Sequence, residues 1–122
     1  MAIKKVLIVD DSSTDRQNLE QILSNTGCEI LTSDNGKDAI ELAKNEKPDI
    51  IFMDIVMDEM DGYEATRKLT NDDDTKSIPV IFVSSKRQKA DRVWDKMQGG
   101  KELVSKPYTA EQILDQIKNF SD

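Results

Sequence analysis

Histidine is absent from the 122 residues and cysteine occurs once. Without an imidazole, histidine-based acid–base catalysis and histidine-ligated metal sites are excluded. A lone Cys28 cannot close an intramolecular disulfide. Beside Glu29-Ile30-Leu31 it reads as a small core or near-core residue. Aromatic residues make up only 5%, while charged residues make up 34%. Cations are outnumbered, 17 Lys and Arg against 24 Asp and Glu, for a net charge of −7. Nucleic acids and anionic membranes need clustered Lys and Arg, so neither is an expected partner. No apolar run approaches the roughly 18 residues of a membrane span, and no charged-then-apolar leader begins the chain. The expectation is one soluble cytoplasmic domain over residues 1–122, long enough to bury a core without disulfides. No internal repeat, low-complexity segment or linker to a second domain is present.

What the sequence does contain is a regular alternation. Short apolar runs occur at Val6–Val9, Glu29–Thr32, Ile50–Met53, Val80–Val83 and Leu103–Val104. Between them lie stretches with apolar residues at helical spacing, such as Leu19, Ile22 and Leu23, or Ala39, Ile40, Leu42 and Ala43. Asn35-Gly36 and Asp61-Gly62 open helices, Lys47-Pro48 stops one, and Gly27 is placed to cap another. A further helix is predicted around Val93, Trp94 and Met97, ending at Gly99-Gly100. A last helix carries Ile113, Leu114 and Ile117. Met53, Met57, Met60 and Met97 are read as core or near-core packing, and Asp72-Asp73-Asp74 as a solvated loop.

This (βα)₅ pattern predicts an α/β three-layer sandwich, a parallel sheet with helices on both faces. Runs one, three and four are continuously apolar, as strands buried on both faces must be. Runs two and five are shorter or more polar and suit the edges. The flavodoxin-like order 2-1-3-4-5 satisfies both conditions and right-handed crossovers. Its direction reverses between strands one and three, and open α/β sheets bind ligands beyond the strands' carboxyl ends at such a point.

Polar residues fall at those ends. Asp10 and Asp11 follow the first run, Asp54 the third, Ser84 and Ser85 the fourth, and Lys106-Pro107 the fifth. Taken singly, each is an ordinary turn, cap or surface residue. Together they place three carboxylates, a hydroxyl and an ammonium at one sheet edge. Clustered carboxylates repel and raise one another's pKa, which a divalent cation relieves. Oxygen-only ligands point to a hard ion, Mg²⁺ with Mn²⁺ as a substitute. Asp11 and Asp54 are candidate direct ligands and Asp10 a direct or water-mediated one. A backbone carbonyl such as that of Val56 would complete the set. One carboxylate can then attack phosphorus to give an aspartyl phosphate, and Asp54, on a central strand, is the best placed. Lys106, restricted by Pro107, would neutralise phosphoryl oxygens. Ser84 would donate its hydroxyl, and its movement would pull the following loop.

These residues resemble the receiver domain of two-component response regulators, in particular the single-domain CheY-like group. The matching motifs are Val9-Asp10-Asp11-Ser12, Met53-Asp54-Ile55-Val56-Met57, Asp61-Gly62, Val83-Ser84-Ser85 and Lys106-Pro107. The resemblance implies that Asp54 is the phosphoacceptor, with Asp10, Asp11, Asp54 and the Val56 carbonyl as the Mg²⁺ site. It makes Ser84 the switch hydroxyl and Lys106 the family's lysine. A histidine kinase would supply phosphate, and a downstream protein would read the state of a monomer or weak dimer. The chain would catalyse only its own phosphorylation and dephosphorylation. Asp91-Arg92-Val93-Trp94 with Gly99-Gly100 is similar to the regulators of type IV pilus twitching motility, the PilG/PilH type.

Two departures stand out. Asp58 replaces a proline common in relatives. Leu103 stands where the family often has Tyr or Phe, so its output coupling should differ. Lys86 and Val56 are placed to set the lifetime of the phosphoryl group. Other chemistries fit less well. A haloacid dehalogenase phosphatase needs a second Asp where Val56 stands. No glycine-rich phosphate loop is present for a nucleotide. An EF-hand around Gly62 would put Met57 first and Lys68 twelfth, where ligands are required. A phosphate sink or a phosphorylation-independent adaptor remains an alternative on the same fold.

Overall fold

Alternating side chains on five short strands give one sheet two apolar faces, and the helices divide between them. The computed structural model describes residues 2–85 and 96–121. Strands β1 (Lys5–Val9), β2 (Glu29–Ser33), β3 (Ile50–Asp54), β4 (Val80–Ser84) and β5 (Glu102–Ser105) form a parallel sheet in the order β2-β1-β3-β4-β5. The described helices are α1 (Ser13–Leu23), α2 (Gly36–Glu46), α3 (Gly62–Thr70) and α4 (Ala110–Asn119), with a 3₁₀ turn at Ser24–Thr26. This is the predicted flavodoxin-like architecture, with each strand one or two residues longer than its apolar run.

Leu7, Val9, Ile51, Met53, Val80 and Phe82 face α2 and α3, meeting Ala39, Ala43, Ala65 and Leu69. Val6, Ile8, Ile50, Phe52, Ile81 and Val83 face α1 and α4, meeting Leu19, Leu23 and Ile113. Every residue of β3 and β4 is buried, whereas β2 and β5 are only partly so. The continuous apolar runs therefore correspond to central strands, as two-sided burial requires. Phe82 is further held by the edge of Tyr63, with ring centroids 5.0 Å apart at 72°, a favoured aromatic geometry. Cys28 packs at the margin of the second face, with Sγ 3.4 Å from the Ile3 carbonyl.

Each of the four described α-helices starts at a polar cap. The side chains of Ser12, Asn35, Asp61 and Thr109 accept hydrogen bonds from the amides of Asp15, Asp38, Glu64 and Gln112. These bonds satisfy amides that have no partner within the helix. Gly27 leaves the 3₁₀ turn at φ 79°, and Lys47 ends α2 at φ 47° before Pro48.

Two expectations need correction or limits. Met97 is 72% exposed, not packed in the core. The buried position is taken instead by the next residue, Gln98, which accepts a hydrogen bond from Arg67. Apolar spacing located this segment but misjudged which side chain turns inward just before Gly99. The helix expected around Val93 and Trp94 falls largely on residues 86–95, which lie outside the described residues, as does Lys86.

The strand registers align the carboxyl ends. Val9 pairs with Met53, Asp54 with Val83, and Ser84 with Ser105. Residues immediately after β1 and β5, and the last residues of β3 and β4, therefore share one edge.

Candidate functional site

That edge collects Asp10, Asp11, Asp54, Ser84 and Lys106 into one pocket. Asp10 is 1% exposed; its Oδ1 accepts the Ser12 amide at 2.9 Å, and its own amide donates to the Ser33 carbonyl at 3.1 Å. Asp54 ends β3 and is 7% exposed, while Asp11 stands on the exposed rim. Carboxylate oxygens of the three residues lie within 4.8 Å of one another. Lys106, joined to Pro107 by a cis peptide, extends its ammonium across the pocket. Nζ lies 3.0 Å from Asp10 Oδ2 and 3.5 Å from Asp54 Oδ1.

The electrostatics follow from this crowding. Burial pushes the Asp54 carboxyl up to about 7, the nearby charge of Asp10 adds to the rise, and Lys106 only partly offsets it. Burial works against the charge of Lys106, but the hydrogen bonds it donates to Asp15 and Asp10 and the charges of Asp10 and Asp54 outweigh it. The ammonium is held above its ordinary range. Among the described residues, the three carboxylates of the pocket outnumber its one lysine. The pocket's donors are all oxygens, the set a hard divalent cation takes.

Ser84 is 1% exposed, and its hydroxyl has no hydrogen-bond partner among the described residues. A buried hydroxyl left unpaired is unfavourable, by about 1–3 kcal/mol where no water reaches it. Ser84→Ala is therefore expected to leave the stability of the resting protein unchanged or slightly higher, measured by urea unfolding. A loss above about 1 kcal/mol would show that the hydroxyl already has a partner.

The β3–α3 connection is held tightly against the site. The Gly62 amide donates to the Ile55 carbonyl at 2.7 Å, and the Ile55 amide donates to the Val83 carbonyl at 3.3 Å. Met60 packs over Gly36 at the start of α2. Val56 lies on this connection with its side chain 58% exposed. Leu103 sits on β5 opposite Phe82 and packs partly buried against the first apolar face.

One participant was not legible in the sequence. Asp15, in the first turn of α1, brings Oδ2 to 2.8 Å from Lys106 Nζ, nearer than Asp10 or Asp54. Arg16 beside it donates to the Asp10 carbonyl at 2.7 Å. An acid in a first helical turn reads as an ordinary complement to the helix dipole. Nothing in that position points to a contact across 91 residues of chain.

The profile of the response regulator receiver domain matches residues 6–118. The chain belongs to the response regulator receiver family. It is 45% identical to protein PilH of Pseudomonas aeruginosa over 113 residues, covering 93% of each chain. To PilG of the same organism it is 37% identical, covering 93% of this chain and 84% of PilG. Among solved structures, Vibrio cholerae chemotaxis protein CheY4 superposes with a TM-score of 0.88 at 27% identity. That match covers 98% of this chain and 99% of CheY4. Phosphorylation-dependent switching is the general function of receiver domains, and they generally bind Mg²⁺ at their acidic pocket. The finer resemblance to the PilG/PilH type agrees with these relatives.

Proposed function

We propose that this receiver, taken as one domain over residues 1–122, works as a stand-alone regulator phosphorylated on Asp54. The observation that carries the reading is the convergence of three carboxylates within 4.8 Å and a lysine ammonium 3.5 Å from Asp54. Two of those carboxylates are nearly inaccessible to bulk solvent. Asp10, Asp11 and Asp54, with the Val56 carbonyl, would hold Mg²⁺, which supplies positive charge against the phosphoryl oxygens.

A carboxylate oxygen of Asp54 attacks phosphorus and forms the new O–P bond. The bond from phosphorus to the donor breaks, and its electron pair leaves with the kinase imidazole or, in vitro, with acetate. Lys106 offers N–H donors to the charge spread over the transferring group. Ser84, whose hydroxyl has no partner among the described residues, would turn it toward a phosphoryl oxygen and carry the loop after β4 with it. Leu103 lacks the ring that commonly follows such a movement, so the output at β5 differs from that of aromatic relatives.

The donor is a histidine kinase and the reader a downstream protein. The similarity to PilH and PilG favours chemotaxis-type control of type IV pili. Among the described residues no helix is long and apolar enough to cross a membrane, in keeping with a cytoplasmic site of action.

Incubation with acetyl phosphate tests the chemistry by intact mass. The wild type should gain one phosphoryl group in Mg²⁺ and none in EDTA, and Asp54→Ala should gain none. A gain that survives in the mutant would contradict the assignment. No gain in a folded, Mg²⁺-binding wild type would favour a phosphorylation-independent adaptor.

A further inference from the structure

The ammonium of Lys106 is shared among three carboxylates, and the division is uneven. Asp15 at 2.8 Å and Asp10 at 3.0 Å are within hydrogen-bond range, whereas Asp54 at 3.5 Å is not. Lys106 is therefore held closely to the floor of the pocket and to α1, and more loosely to Asp54. Asp15 differs from Asp10 in its setting. Its side chain is 37% exposed, against 1% for Asp10. A partly solvated pair is worth little and breaks readily, whereas a buried pair does not. One helical turn along α1, Asn18 Nδ2 donates to the Tyr108 hydroxyl at 3.4 Å. Asp15 and Asn18 thus hold the segment after β5 against the same face of α1.

We propose that Asp15 is a positioning residue that competes with Asp54 for Lys106. It holds the ammonium on α1 in the resting state and gives it up when a phosphoryl group forms. This inference rests on Asp54 as phosphoacceptor. A phosphoryl group brings new anionic oxygens to Asp54, and Lys106 has three N–H donors. Drawing the ammonium toward those oxygens, from its 3.5 Å separation from Asp54, lengthens the more exposed of its two hydrogen bonds, the one to Asp15. The clasp on α1 then opens as the site is charged, and resting affinity for a phosphoryl group is lowered by the bond that must be given up.

The test is titration of beryllofluoride, a phosphoryl mimic, in saturating Mg²⁺, read by calorimetry or by the Ser84 amide resonance. Wild type, Asp15→Asn, Lys106→Ala and the double variant complete a cycle. Asp15→Asn keeps the backbone amide that Ser12 caps, and Asp15→Ser serves as a second variant of the same loss. Both should bind about three- to tenfold more tightly than wild type, and Asp15→Glu should return toward wild type. In the Lys106→Ala background, Asp15→Asn should change affinity less than twofold. Equal tightening in both backgrounds would mean a general charge effect and overturn the proposal. Weakened binding in Asp15→Asn would also overturn it, because Asp15 would then assist Lys106. Failure of the wild type to bind beryllofluoride would overturn the phosphoacceptor reading and this inference with it.

Discussion

Gly62→Ala is expected to destabilise the protein by about 3 kcal/mol or more and to abolish phosphoryl uptake. A Cβ at this position would lie 2.2 Å from the Asp54 carbonyl oxygen and 2.9 Å from Ile55 Cα. Both obstacles are backbone, so no side-chain rotation relieves the overlap. The Gly62 amide is also fixed to the Ile55 carbonyl. Either α3 moves off the sheet, opening the interface of Ala65 and Leu69, or the end of β3 moves and carries Asp54 out of register with Asp10 and Lys106. Gly27→Ala is the matched control. Its φ of 79° disfavours a side chain, but nothing lies within 4 Å of the added carbon. It should lose only about 1 kcal/mol, the conformational contribution. Urea unfolding of both variants gives the comparison, and equal losses would contradict the close approach at Gly62.

The second large effect is on pH dependence. In EDTA the stability of the wild type relative to Asp54→Asn should fall as pH rises from about 4 to 8. Asp54 is raised to about 7 in the folded protein, by burial first and then by Asp10. Its unfolded value is close to 3.9. The folded state therefore keeps a proton that the unfolded state has already released. The resulting stabilisation is fully present below the unfolded value and is lost as pH rises through the folded one. Three pKa units correspond to about 4 kcal/mol. The open rim and Lys106 screen the site, so a difference of about 1–2 kcal/mol between Asp54→Asn and wild type at pH 8 is the expected result. Near pH 4 the two should be nearly equal. Saturating Mg²⁺ should flatten the wild-type curve, because a bound divalent cation favours the ionised carboxylates that EDTA leaves repelling one another. A stability of the wild type relative to Asp54→Asn that rises with pH in EDTA would contradict the assigned direction.

The site was legible because a parallel sheet converts sequence position into place. Asp10, Asp54, Ser84 and Lys106 each terminate or follow an apolar run, and all strands point the same way. Being last on a strand is therefore enough to bring them together. The strand order was legible for a related reason. Fully apolar runs need cover on both faces, and only the interior of the sheet supplies it. Asp15 was not legible, because its reach to Lys106 depends on how α1 leaves β1 and on a side-chain orientation that helical periodicity does not encode. Gly62 was recognised only as a helix opener. Its closer constraint, the approach of α3 to the Asp54 carbonyl, is a matter of packing. Met97 and Gln98 show the same limit at a helix end, where a shift of one residue exchanges inside for outside. Lys86 and Trp94 lie beyond the described residues, and their roles rest on resemblance.

The most direct test of the account locates the phosphoryl group itself. The protein is treated with acetyl phosphate and Mg²⁺, reduced with borohydride, digested and sequenced by mass spectrometry. An acyl phosphate is reduced to an alcohol, so the acceptor aspartate is read as homoserine. Homoserine at position 54, with Asp10 and Asp11 intact, is the result predicted here. Homoserine at another aspartate, with position 54 unchanged, would contradict the assignment of Asp54 as the acceptor.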